Sequence, residues 1–268
     1  MAVARQSALI NVMIAATKKA GRGLVRDFGE IEQLQVSRKG PGDFVTQADL
    51  KAERTLRYEL EKARSTYGLL MEESGETPGT DTSNRWVVDP LDGTSNFMHG
   101  IPHFAVSVAL ERDRQIQAGV VYNPVTDELY WAEKGAGAYL NDRRLRVSAR
   151  TEIGDAMVMT GIPHASAQRA ERYMPMLRRV SPAVGAVRRF GAAALDLAWV
   201  ASGRADAFFE FNLSPWDIAA GMLIVREAGG FVSDIDGRDR MMETGDIVAS
   251  NAALQEPLLT LLRGPSGS

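Results

Sequence analysis

The stretch Asp89 to Phe97, DPLDGTSNF, holds the side chains best spaced to do chemistry together. Asp89 closes a short apolar run, Trp86 to Val88, which predicts a buried strand. Pro90 has no N–H to give to a ladder, so the strand is expected to end there and the chain to turn. Asp89 and Asp92 flank that turn and can point at one spot, while Gly93 lets the backbone approach whatever occupies it. Thr94 to Phe97 open a helical turn whose first N–H groups suit an anion such as phosphate. Two carboxylates about 4 Å apart repel by roughly 4 kcal/mol at an effective dielectric near 20, so a cation is expected between them. With no cysteine and three histidines in the chain, the ligands are hard oxygens, which favours Mg²⁺.

Other acidic residues must be carried to that spot by the elements around it. A strand over Gly68 to Met71 delivers Glu72-Glu73-Ser74-Gly75, and because neighbours on an extended chain point to opposite sides, one of the two glutamates can join Asp89 and Asp92. Asp49 falls at the start of a helix expected to run from Thr46 or Asp49 through Tyr67, where helix capping alone would explain it. Asp217 falls in the first turn of a helix opened by Ser214-Pro215, where a carboxylate suits the helix dipole. Arg38 to Gly42 is a loop by composition, with Lys39 inside it and Asp43 just after; Thr77 to Asn84 is a second polar loop.

The remaining pattern is mixed. Residues 3 to 28 carry apolar positions at helical spacing, with Gly21 and Gly23 expected to bend or split the helix. Phe104 to Leu110, Ile116 to Tyr122 and Glu128 to Ala132 predict an antiparallel meander, and Gly135-Ala136-Gly137 a turn within it. Strands follow at Met157 to Thr160, Arg188 to Phe190, Asp206 to Phe211, Phe231 to Ser233 and Ile247 to Ala249. Helices are expected over 166–180, with arginines 169, 172, 178 and 179 on its wet side, over 192–202, from Pro215 to Gly229, and over 251–262. One domain over 1–263 with a flexible tail at 264–268 accounts for the whole.

Composition bounds the function. At 268 residues and 45% apolar content the chain can bury a large core. A net charge of -3 gives no bulk attraction for nucleic acid, so an anionic substrate must be met locally and no direct nucleic-acid binding is expected. No apolar window reaches the roughly 20 residues of a membrane span, and no long apolar run precedes Lys18 and Lys19 as a signal peptide would require. The absence of cysteine fits a reducing cytoplasm.

The ordered set EES (72–74), DPLDGTSNF and WDIAAG (216–221) resembles the inositol monophosphatase family, and KGPGDFVTQAD, GVVYNP and FGAAALDLAWVASGRADAFFE extend the likeness over nearly the whole chain. The similarity is to its bacterial extragenic-suppressor type. The resemblance implies an α+β fold, a layered αβαβα sandwich of the inositol monophosphatase and fructose-bisphosphatase type, and a cytoplasmic homodimer hydrolysing a phosphate monoester with two to three Mg²⁺ per site. Matched by motif, the metal ligands are Glu72, Asp89, the Leu91 carbonyl, Asp92 and Asp217. Thr94, Asp49 and Glu72 form the catalytic set, with Thr94 and Asp49 orienting and deprotonating the attacking water. The substrate-binding set is Asp92, Gly93, Thr94, Ser95, Gly191, Ala192, Ala193, Glu210 and Asp217, with Glu210 and the 191–193 segment at the polyol. Lys39 and Asp43 match a mobile loop near a weakly held metal, and lithium inhibition follows from competition at a magnesium position. Ser95 replaces the family's commoner Thr.

The metal motifs are shared with phosphatases of 3'-phosphoadenosine 5'-phosphate, histidinol phosphate and fructose 1,6-bisphosphate; Asn96-Phe97 and Glu210 favour the inositol type. A non-enzymatic alternative is an interaction module for the bacterial transcription machinery. Asp234-Ile235-Asp236-Gly237 resembles the DxDG nucleophile of haloacid-dehalogenase-like enzymes, but too little chain follows it and a hairpin turn is expected instead. His99, His103 and His164 have no zinc spacing, and neither a G-x-S-x-G elbow nor a P-loop is present.

Overall fold

The structure is a computed structural model that describes residues 6–30, 36–40, 43–163 and 167–264. It opens with helix α1 (Ala8–Phe28), the hairpin β1 (Val36–Gly40) and β2 (Asp43–Thr46), helix α2 (Gln47–Ala63), and strands β3 (Tyr67–Met71), β4 (Gly75–Thr77) and β5 (Asp81–Asp92). A short helix α3 (Thr94–Met98) leads into β6 (Ala105–Arg112), β7 (Gln115–Asn123), β8 (Glu128–Glu133), β9 (Gly137–Leu140) and β10 (Arg143–Arg144). Then come β11 (Met157–Thr160), α4 (Ala167–Val180), β12 (Ala186–Arg188), α5 (Ala193–Ala201), β13 (Ala207–Glu210) and α6 (Pro215–Glu227). The described chain closes with β14 (Phe231–Ser233), α7 (Met241–Thr244), β15 (Ile247–Ser250) and α8 (Ala252–Arg263).

Among the described residues the larger sheet has the order β10-β9-β8-β7-β6-β5-β3-β4, and a five-stranded sheet has the order β12-β11-β13-β15-β14. Side chains alternate across each strand, so each sheet feeds two cores. Trp86, Val88, Val106 and Val108 face α1 and α2, meeting Ile10, Met13, Leu56 and Leu60. Val87, Ala109 and Val121 face the other way into a middle core with Leu197, Ala198, Ile218 and Ile224 of α5 and α6. Met159, Phe208 and Ala249 of the second sheet close that middle core, while Val158, Phe209 and Val248 turn outward to Leu254 and Leu258 of α8. The order of layers is therefore helix, sheet, helix, sheet, helix: the expected α+β sandwich.

The middle helices are squeezed from both sides, which explains their small residues. A Cβ on Gly119 of β7 would stand 2.8 Å from the Ala220 carbonyl oxygen, and one on Gly221 would stand 2.6 Å from Leu197. Helix α6 can sit this low on the sheet because those positions are empty. Gly119→Ala is expected to cost about 1–3 kcal/mol of stability, by overpacking against backbone that cannot step aside, and to lower activity as well because α6 carries Asp217. Urea unfolding and turnover measured on the same preparation check both parts.

Several expectations are corrected. Strand β5 does not stop at Pro90: a bulge between Asp89 and Asp92 absorbs the missing donor, and pairing resumes at Asp92 opposite Ala105. The strand also begins at Asp81, so only residues 78–80 of the expected 77–84 loop lie outside strands. Gly21 and Gly23 leave α1 unbroken, and Gly21 instead provides clearance for Tyr122, whose Cε1 would stand 2.7 Å from an added Cβ. The Arg38 to Gly42 loop is the end of a hairpin, with positions 41 and 42 outside the described residues. Helix α2 ends at Ala63, and Tyr67 already belongs to β3. The strand expected at Arg188 to Phe190 lies at Ala186–Arg188. Arg172 and Arg179 are not simply solvated, since Arg172 pairs with Asp246 and Arg179 donates to the Leu261 and Leu262 carbonyls. The tail expected after residue 263 lies, apart from Gly264, outside the described residues.

Candidate active site

Strand register builds the first half of the site. β3 and β5 are parallel neighbours with Met71 opposite Val88, so Glu72 and Asp89 leave the sheet side by side. The Glu72 N–H donates to the Val88 carbonyl at 3.2 Å, which fixes the step. The glutamate turn is anchored from behind: buried Glu53 of α2 accepts the Glu73 N–H at 2.9 Å, and Arg57 donates to Ser74 Oγ at 2.8 Å. Asp89 Oδ1 accepts the Leu91 N–H at 2.9 Å, a local turn that aims the carboxylate.

The second half arrives across the middle layer. Ser214 caps α6, and Asp217 Oδ2 accepts the Ser214 N–H at 2.7 Å in a capping box. Ser107, paired opposite Asp89, donates through Oγ to the Trp216 carbonyl at 3.3 Å and so seats the start of α6 over the end of β5. Asp92 reaches α5, where its Oδ2 accepts the Ala194 N–H at 2.7 Å; the residue at the N-cap position itself is Ala192, which has no capping side chain.

Burial raises the carboxyl of Asp89 well above the usual range, and repulsion from Glu72, Asp92 and Asp217 adds to it. Asp92 is raised by burial and then by Asp217, against the Ala194 N–H. Burial also lifts Asp217 to about 6, although bonds from Ser214 and Asp89 oppose it. Glu72 and Asp217 both lie near enough to Asp89 to perturb it, as like charges crowded together do. Among the described residues no group of three or more His, Asp or Glu side chains forms a ready-made ion cage. The fit to a metal rests on donor chemistry: buried, mutually repelling carboxyl oxygens are relieved by a hard divalent cation.

A third element brings Asp49 against Thr94. Thr46 caps α2, and Asp49 Oδ2 accepts the Thr46 N–H at 2.9 Å, so the capping expected of Asp49 is real. Its other oxygen, Oδ1, lies 3.1 Å from Thr94 Oγ1, which is also 3.1 Å from the Leu91 carbonyl. Capping and site contact use different oxygens of one carboxylate. Burial raises the Asp49 carboxyl, opposed by bonds from Thr46 and Thr94. Gly93 adopts φ +93° at the N-cap of α3 and offers no side chain to the first N–H groups there.

Around this centre, Ala192 and Ala193 are buried, and Gly191 takes φ +86°, where an added Cβ would stand 2.6 Å from the guanidinium of exposed Arg189. Glu210 ends β13 with its carboxyl packed on Gly161, where an added Cβ would displace it. Burial, then Asp196 and Asp217, push Glu210 up to about 8 against the pull of Arg189. Lys39 lies in β1 and Asp43 opens β2, and their side chains are not among those described.

Sequence reasoning missed Glu53, Ser107, the contacts that Asn96 makes, and the pair of Asp196 with His103, whose Nε2 is 3.6 Å from Asp196 Oδ1. Ser107 and Asn96 act over about a hundred residues of sequence, and no local pattern marks them. Asp234 is no nucleophile: its Oδ1 accepts the N–H groups of Asp236 and Arg238, and Oδ2 accepts from Arg240. Burial works against that carboxyl, but these donors hold it below its usual value. Its stabilising effect is present above the unfolded value near 3.8 and is lost as pH falls through the lower folded value. Asp234→Asn is expected to keep wild-type turnover and to unfold at lower urea at pH 7, a deficit that shrinks toward pH 3.

The model of the "Inositol monophosphatase family" matches residues 5–264. An inositol-1-monophosphatase of Mesorhizobium japonicum is 57% identical over 260 residues, covering 97% of this chain and 98% of the relative. The Nus factor SuhB of Escherichia coli is 42% identical over 255 residues, covering 95% and 96%. The crystal structure of extragenic suppressor protein suhB from Bartonella henselae superposes with a TM-score of 0.94 at 54% identity, covering 96% of this chain and 99% of that one. With likeness of this degree running through every layer that carries an acidic residue to the centre, the chain belongs to the inositol monophosphatase family.

Proposed function

We propose that the chain is a Mg²⁺-dependent phosphomonoesterase that hydrolyses myo-inositol monophosphate to inositol and phosphate. The convergence of Glu72, Asp89 and Asp92 from the larger sheet and Asp217 from α6 on one mutually repelling centre carries this reading. The inositol-1-monophosphatase named above, at 57% identity, supports the substrate. Those four carboxylates and the Leu91 carbonyl would hold two to three ions. Bound Mg²⁺ supplies charge neutralisation at the phosphoryl oxygens and makes a bound water acidic.

The chain's own residues do the rest. Thr94 has one hydroxyl proton; given to Asp49, it leaves the oxygen lone pairs facing outward to accept from the attacking water. Asp49 is the proton's destination. The N–H groups of Gly93, Thr94 and Ser95 hold the phosphoryl oxygens, and Gly191 to Ala193 with Glu210 hold the inositol hydroxyls. A cytoplasmic homodimer inhibited by lithium belongs to the same reading. Among the described residues no helix is long and apolar enough to cross a membrane.

Phosphate release from inositol 1-phosphate, 3'-phosphoadenosine 5'-phosphate, histidinol phosphate and fructose 1,6-bisphosphate tests the proposal, with Mg²⁺, with EDTA and with Asp92→Asn. Preferred turnover of inositol 1-phosphate that vanishes in both controls is the expected result; preference for another ester moves the substrate. The 42% identity to Nus factor SuhB favours a second reading, an interaction module for the transcription machinery. Silence on every ester from folded, Mg²⁺-loaded protein would support it.

A further inference from the structure

Asn96 follows Thr94 and Ser95 in α3, and only 4% of it is exposed. Its Nδ2 donates to the His103 carbonyl at 2.8 Å and to the Phe190 carbonyl at 2.8 Å, with the Gly191 carbonyl at 3.4 Å. All three partners are backbone oxygens that only accept, so the amide nitrogen must face them, and its two hydrogens serve the two short contacts. The bond to Phe190 joins positions 94 residues apart. One end belongs to the turn that would hold the phosphoryl group. The other is the strand exit that sets Gly191 in its left-handed conformation, from which Ala192 and Ala193 follow. A second tie lies close by, from the Ala194 N–H to Asp92.

We propose that Asn96 is a positioning residue for substrate selectivity: its amide sets the spacing between the phosphoryl-holding turn and the 191–193 segment that holds the leaving group. This rests on the phosphatase reading above. Asn96 touches no substrate, being buried with its hydrogens engaged. Its loss leaves the carboxylates, Thr94 and Asp49 in place and loosens the leaving-group side. The damage should scale with how far a substrate uses that side. Inositol 1-phosphate has hydroxyls to place there; 4-nitrophenyl phosphate has a flat ring with none.

The experiment compares kcat and KM for these two esters in the Mg²⁺-loaded wild type and in Asn96→Ala and Asn96→Asp. Asn96→Ala should raise KM for inositol 1-phosphate about tenfold, with kcat/KM for 4-nitrophenyl phosphate within about twofold of wild type. Asn96→Asp, isosteric but with acceptors turned on carbonyls, should lose more of the selectivity than Asn96→Ala. If Asn96→Ala does not fold, Asn96→Ser is measured in its place against the same ratio. Equal losses on both esters in folded protein, or an unchanged ratio, would overturn the inference. A wild type that shows no preference for inositol 1-phosphate would instead remove the inositol-phosphate substrate reading on which it stands.

Discussion

Asp89→Asn is expected to lower kcat/KM for inositol 1-phosphate about a thousand-fold, the several kcal/mol that charge stabilisation by a metal contributes, while the protein keeps its fold. Asp89 lies at the centre of the cluster, beside Glu72 by strand register and in electrostatic reach of Asp92 and Asp217. Asparagine can still accept the Leu91 N–H, so the turn survives. Stability in EDTA should move the opposite way from activity. These carboxyl groups are raised above their unfolded values, so folded and unfolded states are equally protonated in strong acid. As pH climbs past about 4 the unfolded chain ionises freely and the folded one resists. Folded stability therefore falls across a window that runs through about 6 for Asp217 and about 8 for Glu210. The chelated wild type should melt lower at pH 8 than at pH 5, and Asp89→Asn should lose less over the same range. Added Mg²⁺ should restore the wild type far more than the variant. Thermal melts at both pH values, with and without Mg²⁺, check each part.

The second large effect separates capping from chemistry at Asp49. Thr94→Ala and Asp49→Asn should each lower kcat about a hundred-fold or more, the range of positioned proton transfer, with KM little changed. Asparagine can keep an acceptor for the Thr46 N–H, so Asp49→Asn should stay within about 1 kcal/mol of wild-type stability, whereas Asp49→Ala should lose about 1 kcal/mol with the cap. Because Thr94 and Asp49 act through one 3.1 Å contact, the double variant should be no worse than the more damaging single. Asp49→Asn with full turnover would reduce that residue to a helix cap.

These two residues show how far the sequence reaches. Asp49 and Asp217 carried competing explanations, helix cap or site, and the two are compatible, since each carboxylate caps its helix while Asp49 also meets Thr94 and Asp217 lies in electrostatic reach of Asp89. The DPLDGTSNF stretch was legible because turn, glycine and helix start are local features. Pro90 misled because a bulge, which depends on the neighbouring strand β6, lets pairing resume beyond it. Gly21 misled because helix propensity is weak beside packing on Tyr122. Ser107 and the partners of Asn96 stayed hidden because those contacts reach other layers, and one sequence contains no register between β6 and α6 or between α3 and the start of α5.

Turnover of inositol 1-phosphate while Mg²⁺ is titrated into EDTA-treated protein, paired with calorimetric Mg²⁺ binding to wild type and Asp89→Asn, tests the carboxylate centre most directly. Activity should rise over the same Mg²⁺ range as binding in the wild type, and both should weaken together in Asp89→Asn. Turnover that persists in EDTA, or Mg²⁺ binding undiminished in Asp89→Asn, would contradict the assignment of Glu72, Asp89, Asp92 and Asp217 to a magnesium-dependent centre.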